Sequence, residues 1–519
     1  MKRSVIRARL ADVPRFDLLV IGGGATGVGI AVDAASRGHR VALVEQDDFG
    51  KGTSSRSTKL VHGGVRYLQQ GNVALVMEAL RERGLLRANA PHLVHDLSFV
   101  VPSYAWWEGP FYGIGLRLYD LLALRYGFGR SHSLSREELL AAIPTLEPAG
   151  LRGGVLYHDG QFDDARLLIA LVRTAQAQGA VLLNHARVVR LLRDGADCIA
   201  GAVVLDTEAG DEFELRARCT INATGAFADG VRRLDDPDSP ALVAPSQGIH
   251  VVLDRSFLPG DHAIMVPRTS DGRVLFAIPG HGRTLVGTTD TPVPSAELEP
   301  RAFDEELEFV LGTASRYLAR DPTRADVLSV FAGIRPLASG DGGGDTAALS
   351  RDHSIHVSRR GLLTIVGGKW TTYRKMAEDV VDHAVLLADL PERACVTRTL
   401  RVHGWHERPG ELGELADWGS DAAAILELER GDPSLARQLS ARLPYRASQA
   451  VFAVREECAR TVEDVLARRL RALFLDARAA ADCAPAVATL LAEELGRDAD
   501  WIASQVAAFR ALAAGYGIA

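Results

Sequence analysis

Gly22, Gly24 and Gly27 form a G-x-G-x-x-G run near the start of the chain, and each does something a larger residue prevents. Gly22 permits a tight turn, and Gly24 lets backbone approach a pyrophosphate. Gly27 lets a helix lie close on the preceding strand, with its N-terminus facing the phosphates. Glu45 closes the next strand-like run, where its carboxylate can accept hydrogen bonds from adenosine ribose hydroxyls. These residues point to a dinucleotide. Whether it carries a flavin or a nicotinamide they leave open.

The elements that must hold those glycines can be read around them. Residues 18–21 and Val41–Val44 are short apolar runs, suited to strands buried on both faces, and an Ala- and Val-rich helical stretch lies between them. Two further runs of this kind, 219–223 and 362–366, end in glycine turns, and the second leads into a helical pattern over 371–388. Residues 92–103 and 243–290 instead alternate apolar and polar positions between turns, as antiparallel strands do. Residues 110–126 have the spacing of an amphipathic helix. Beyond about residue 389 the glycine-strand signals stop. Residues 389–410 read as a linker, and 411–519 are rich in Ala, Leu, Arg and Glu at helical spacing. A capping box at Thr461–Asp464 predicts one helix over 463–475.

Bulk properties narrow the function classes. The chain has 519 residues, more than one hydrophobic core organises, so two or three domains are expected. A net charge of −7 argues against a dedicated nucleic-acid binder. Of the five cysteines none lies in a C-x-x-C pair, which implies neither a zinc site nor a disulfide framework and suits a reducing cytoplasm. His403 and His406 lack companions at ligand spacing, so no metal is expected. No apolar run reaches membrane-spanning length, and Arg7, Arg9 and Asp12 interrupt any secretory-type segment at the N-terminus. Two features suit a membrane surface. One is the basic arm of Lys2, Arg3, Arg7 and Arg9 interleaved with Val5, Ile6 and Leu10. The other is the aromatic cluster Tyr104, Trp106, Trp107, Phe111 and Tyr112.

Longer motifs add a family. IGGGATGVGIAVDAASRG, TSSRSTKLVHGGVRYL, INATGAFAD, LVGTTDT, FAGIRPL, LSRDHSI and VGGKWTTYRKMAED span residue 17 to about 384. Together they resemble the FAD-dependent, quinone-linked glycerol-3-phosphate dehydrogenase family, within the D-amino-acid-oxidase-like flavoenzymes. The resemblance implies FAD rather than NAD. It implies a Rossmann-like FAD-binding domain from residues 15–91, 161–242 and 346–388, an antiparallel-sheet substrate domain from 92–160 and 243–345, and an all-α C-terminal domain over 389–519. It also implies that Thr53, Ser54, Ser55, Ser57 and Lys59 contact the flavin and pyrophosphate. Gly225 then belongs to a second flavin loop, and Gly368, Lys369 and Thr371 to a closing turn near the isoalloxazine.

The implied substrate is sn-glycerol 3-phosphate, oxidised to dihydroxyacetone phosphate. Arginine holds two phosphate oxygens at once with its planar fork, and Arg66, Arg335 and Arg351 occupy matching motif positions. Arg335, between an apolar strand and Pro336, is the first candidate. Tyr67 is placed to help hold substrate, and Lys369 to stabilise reduced flavin. His250, among apolar neighbours, is the first choice for the base that takes the hydroxyl proton, with His62 as competitor. Catalysis then rests on His250, Arg335, Lys369 and His62. Membrane quinone is the implied electron acceptor, reached by weak peripheral contact at the inner face of the cytoplasmic membrane. An oxidase passing electrons to oxygen and a homodimer both stay open.

Overall fold

A computed structural model describes residues 2–65, 68, 72–269, 272–338 and 353–518. Its first layer is a mostly parallel sheet with the strand order His353–Val357, Leu362–Gly367, Glu212–Asn222, Phe16–Ile21, Val41–Val44 and Val181–Leu183. The central strand Phe16–Ile21 runs parallel to both neighbours, with Leu18 opposite Cys219 on one side and Val41 on the other. Its apolar side chains are buried because helices cover both faces. One of them is Ala25–Ser36, which packs closely on Tyr373–Leu387. A Cβ at Gly29 would sit 2.8 Å from the Tyr373 ring.

The second layer is a large mixed sheet. Val243–Asp254 is paired on one side with Val327–Ala338 over nearly its whole length and on the other with Arg283–Gly287. Hairpin neighbours then lead through Leu275–Gly280 and His262–Val266 to Val94–Ser103 and Gly153–Phe162. Two details differ from the antiparallel domain expected. Val94–Ser103 pairs in parallel with His262–Val266, since distant chain segments supply the two strands and no hairpin joins them. The short strand Leu60–Val61, expected within the FAD domain, pairs instead with Gly160 and Gln161 of this sheet. The segment that follows the nucleotide loop is thereby delivered to the second layer.

The C-terminal region is helical apart from a small hairpin, Gln438–Ser440 with Leu443–Arg446, and its core includes Val252 and Phe331 of the second sheet. The expected linker 389–410 is packed rather than free: Leu390 and Val402 are buried in the first core, and Asn89 donates to the carbonyl of Thr397. The capping box at Thr461 is formed, with Asp464 N donating to Thr461 Oγ1 at 3.1 Å. The single helix predicted beyond it is broken. Asp464–Arg469 is a π-turn, Arg471 takes φ +63°, and Ala472–Leu475 follows as a separate turn. The cause is electrostatic. Arg468 and Arg469 both turn inward to Asp48, while Arg471 turns to Asp163. Regular 3.6-residue spacing does not aim adjacent side chains at one carboxylate.

At the N-terminus Arg3–Ala11 is a docked helix with Ile6 and Leu10 buried. Arg3 pairs with Asp206 and Arg7 with Asp211, both at 2.7 Å. Of the basic residues expected to suit a membrane surface, Arg3 and Arg7 are thus paired with acidic groups of the protein.

Candidate active site

The nucleotide residues come together in one groove. At its centre Gly22 takes φ +111°, where a Cβ would meet the Ala223 carbonyl oxygen at 2.6 Å, and a Cβ on Gly27 would lie 1.9 Å from the Gly22 carbonyl oxygen. Helix, turn and second loop therefore meet with no room for a side chain, and Ala25 and Thr26 of the first turn of Ala25–Ser36 line the groove. Gly22, Gly24, Glu45, Thr53, Ser54, Gly225, Gly368 and Lys369 all line it. Ser54 Oγ accepts from the Ala25 N–H at 2.9 Å, and Thr53 Oγ1 donates to Ile334 O at 2.6 Å. The Trp370 indole donates to Ser54 O at 2.8 Å and closes that end. Glu45 accepts from Gly23 N at 2.6 Å and from Asp47 N at 3.0 Å, yet burial raises its carboxyl to about 7.

Three residues carried over as cofactor contacts are turned elsewhere. Ser55 Oγ donates to Gly50 O, Ser57 Oγ donates to Asp164, and Lys59 Nζ bonds Asp164 and Ser55 O. Burial lowers the Lys59 ammonium to about 8 against the pull of Asp164. These groups brace the loop from behind, while Thr53 and Ser54 just before them line the groove. Thr371 is also off the groove, and its hydroxyl accepts from the His62 N–H at 3.3 Å.

A second cavity, of about 480 Å³, adjoins this end. Arg335 lines it while the next residue, Pro336, lines the groove. The Arg335 guanidinium is aimed by Thr289 O at 2.8 Å, Thr288 Oγ1 at 3.2 Å and Asp290 at 3.1 Å. His62 lines the same cavity. Its other walls include Thr288, Arg273, Tyr112 and the apolar side chains Ile114 and Leu118 of the helix Glu108–Ala123. Sequence reading assigned no role to Thr288 or Arg273. Thr288 stands in the LVGTTDT run.

His250 differs from its expected place. It is 3% exposed and absent from the cavity wall, its ring stacks on Phe331 at 5.0 Å, and its Nε2 pairs with Thr58 Oγ1 at 2.9 Å. Burial, then Lys59 and Arg335, hold it well below the usual histidine range, so it stays neutral and screened behind Thr58. The periodicity placed it on a buried strand but left open which way that strand faced. Arg66, Tyr67 and Arg351 lie outside the described residues. Two groupings, Asp48–His185–Asp464 and Asp163–His281–Asp417, come within ligand distance of one another. In each, arginines already bond a carboxylate: Arg468 and Arg469 at Asp48, and Arg471 at Asp163.

Comparison with known proteins sets this geometry among relatives. Residues 17–374 match the family model described as FAD dependent oxidoreductase, and residues 363–501 that of the C-terminal domain of alpha-glycerophosphate oxidase. The chain is 40% identical over 526 residues to the mitochondrial glycerol-3-phosphate dehydrogenase of Mesocricetus auratus, covering 95% of this chain and 72% of that protein. It is equally identical over 538 residues to the mitochondrial enzyme of that name from Arabidopsis thaliana, covering 95% and 85%. Among solved structures, the glycerol-3-phosphate dehydrogenase of Bacillus halodurans complexed with FAD superposes with a TM-score of 0.81 at 30% identity, over 100% of this chain and 98% of that one.

Proposed function

The chain belongs to the FAD-dependent glycerol-3-phosphate dehydrogenase family, and from that membership we propose that it oxidises sn-glycerol 3-phosphate to dihydroxyacetone phosphate and passes the electrons to a membrane quinone. The observation that carries the reading is the shared cavity of His62 and Arg335 at the closing end of the FAD groove. The groove fits FAD because its glycine cradle excludes side chains where a pyrophosphate must approach backbone, and Glu45 stands where a ribose would donate. When bound, FAD accepts the hydride from C2 of the alcohol.

The chain's own groups do the rest. Arg335 presents a guanidinium fixed by the Thr289 and Thr288 oxygens, and its planar fork suits a phosphate ester. His62 faces the same space and takes the proton of the C2 hydroxyl as the hydride leaves. Lys369, on the groove wall, offsets charge that develops on the reduced cofactor. Two hydrogens leave the substrate in this way, one as hydride and one as proton. With FAD bound, the two electrons would go on to the acceptor together with two protons, and the quinone would become quinol.

The quinone half rests on the helix Glu108–Ala123. Ile114 and Leu121 are 71% exposed and Trp106 just before it is 78% exposed, while Ile114 and Leu118 also line the cavity. A cavity of about 480 Å³ exceeds what a three-carbon phosphate fills, and its apolar wall leaves space for an acceptor ring. Among the described residues no helix is long and apolar enough to cross a membrane, so contact by this face would be peripheral.

Anaerobic mixing with sn-glycerol 3-phosphate tests the first half: the flavin absorbance is expected to bleach, and glycerol is expected to leave it unchanged. Steady-state turnover with a ubiquinone analogue or with oxygen, with and without anionic liposomes, tests the second. Faster turnover with oxygen, together with release of hydrogen peroxide and no liposome binding, would make the protein an oxidase.

A further inference from the structure

The helix that shows its apolar side to solvent turns one polar group inward. Tyr119 is 1% exposed. Its hydroxyl accepts from the Gly63 N–H at 2.7 Å and donates to Asp159 Oδ2 at 2.8 Å. The other oxygen of Asp159 takes Arg83 Nη1 at 2.5 Å, and Arg83 lies over the Phe128 ring and donates to Tyr126 O at 3.2 Å. Burial and the Asp159 charge push the Tyr119 hydroxyl well above its ordinary range, so the proton stays on it. With that proton committed to Asp159, a lone pair is left to receive the Gly63 N–H.

Gly63 follows His62, and a side chain there would collide: its Cβ would lie 2.5 Å from both the Tyr119 hydroxyl and Leu80. The His62 N–H is held from the other side by Thr371 Oγ1 at 3.3 Å. Peptide units are planar, so fixing the N–H of residue 62 and the N–H of residue 63 fixes the planes on both sides of the His62 Cα. Those two planes set φ and ψ at His62, and with them the direction of its Cα–Cβ bond. One anchor comes from the closing turn of the FAD groove. The other comes from the helix with the exposed apolar face.

We propose that Tyr119, braced by Asp159 and Arg83, is a positioning residue that aims His62 at the substrate hydroxyl. This rests on the reading of His62 as base. A side chain that only filled space would matter equally whether or not His62 could accept a proton. A positioning residue matters only while His62 does its work.

The test is a double-mutant cycle on anaerobic FAD reduction by sn-glycerol 3-phosphate, using the FAD-loaded enzyme. Tyr119→Phe removes one oxygen atom. Its limiting reduction rate is expected to fall about tenfold, with FAD content and half-saturation for substrate unchanged. In the His62→Asn background the same change is expected to add nothing. A wild-type rate in Tyr119→Phe, or a fall that repeats in full beside His62→Asn, overturns the proposal. A wild-type rate in His62→Asn instead overturns the reading of His62 as base, whatever Tyr119→Phe does. Hydrogen exchange in the unaltered holoenzyme needs no variant: the Gly63 amide is expected to exchange slowly, and exchange at the rate of an open loop overturns the bond on which the proposal stands.

Discussion

The two adjoining cavities are built in opposite ways. The FAD groove is made of backbone: tight turns, the first turn of a helix and glycines whose missing side chains create the space. The second cavity is made of side chains that meet from remote parts of the chain, with His62, Tyr112, Arg273, Thr288 and Arg335 all on its wall. A backbone site tolerates no added atoms, but many residue types suit the positions around it. A side-chain site tolerates changes of packing but depends on a few specific groups. Substitutions in the two regions should therefore fail differently, one by losing the cofactor and the other by losing chemistry on a bound cofactor.

The largest effect is expected at Gly27. A Cβ there would meet the Gly22 carbonyl oxygen at 1.9 Å, a backbone atom with no rotamer to escape into. Gly27→Val is expected to yield protein without bound flavin, seen as the loss of visible absorbance after purification. A yellow Gly27→Val with normal FAD content would break the comparison. Next comes Arg335→Ala, which keeps FAD but loses the fork held by Thr288 and Thr289. Each charge-assisted hydrogen bond to a phosphate contributes about 1.5–3 kcal/mol. Two of them correspond to a fall of at least about 10²-fold in kcat/KM for glycerol 3-phosphate. Normal kinetics in this variant would remove Arg335 from the substrate site.

This contrast also explains what could be read beforehand. Gly22, Gly24 and Gly27 stand within six residues of one another, and each signals a backbone need, so strand, turn and helix are legible there from type and spacing alone. The parallel sheet followed from runs such as Val41–Val44, apolar on both faces. In the second cavity type and spacing pick out segments that line the wall but not the orientation of the side chains within them. In TSSRSTK the first two hydroxyls, Thr53 and Ser54, meet the groove while Ser55 and Ser57 bond the protein behind it. His250 and His62 both stood among apolar neighbours, and only the pairing of Leu60–Val61 with the second sheet carries His62 to the cavity. The break at Arg471 was beyond local reading, because its cause, Asp163, lies some three hundred residues away in sequence.

The two histidines sharpen the comparison within the side-chain site. His62→Asn is expected to slow anaerobic flavin reduction by about 10²-fold, the usual contribution of a positioned base. His250→Asn is expected to slow it less than tenfold. Its ring is neutral and reaches the cavity only through the Thr58 hydroxyl, so its loss disturbs packing against Phe331 more than proton transfer. Equal losses in the two variants would mean that Thr58 relays the proton and that His250 belongs to the chemistry.

The smallest effect belongs to the backbone site and reads the titration of Glu45, a carboxyl on its wall. Burial raises Glu45 to about 7, from an ordinary value near 4.5. The sign follows from linkage. Between about pH 4.5 and 7 the folded apoprotein holds a proton on Glu45 that the unfolded chain has released, so apoprotein stability falls as pH rises through that window. A ribose that donates hydrogen bonds to the carboxylate favours its charged form, so FAD binding should expel that proton. Affinity for FAD is then expected to weaken as pH falls below 7, by up to about tenfold per unit, the limit for one linked proton. Isothermal titration of apoprotein in two buffers of different ionisation enthalpy measures the released proton directly. Glu45→Gln, which cannot ionise, should bind FAD with no such slope. A slope that persists in that variant would move the linkage to Asp47, the buried neighbour whose carboxyl is also raised by burial.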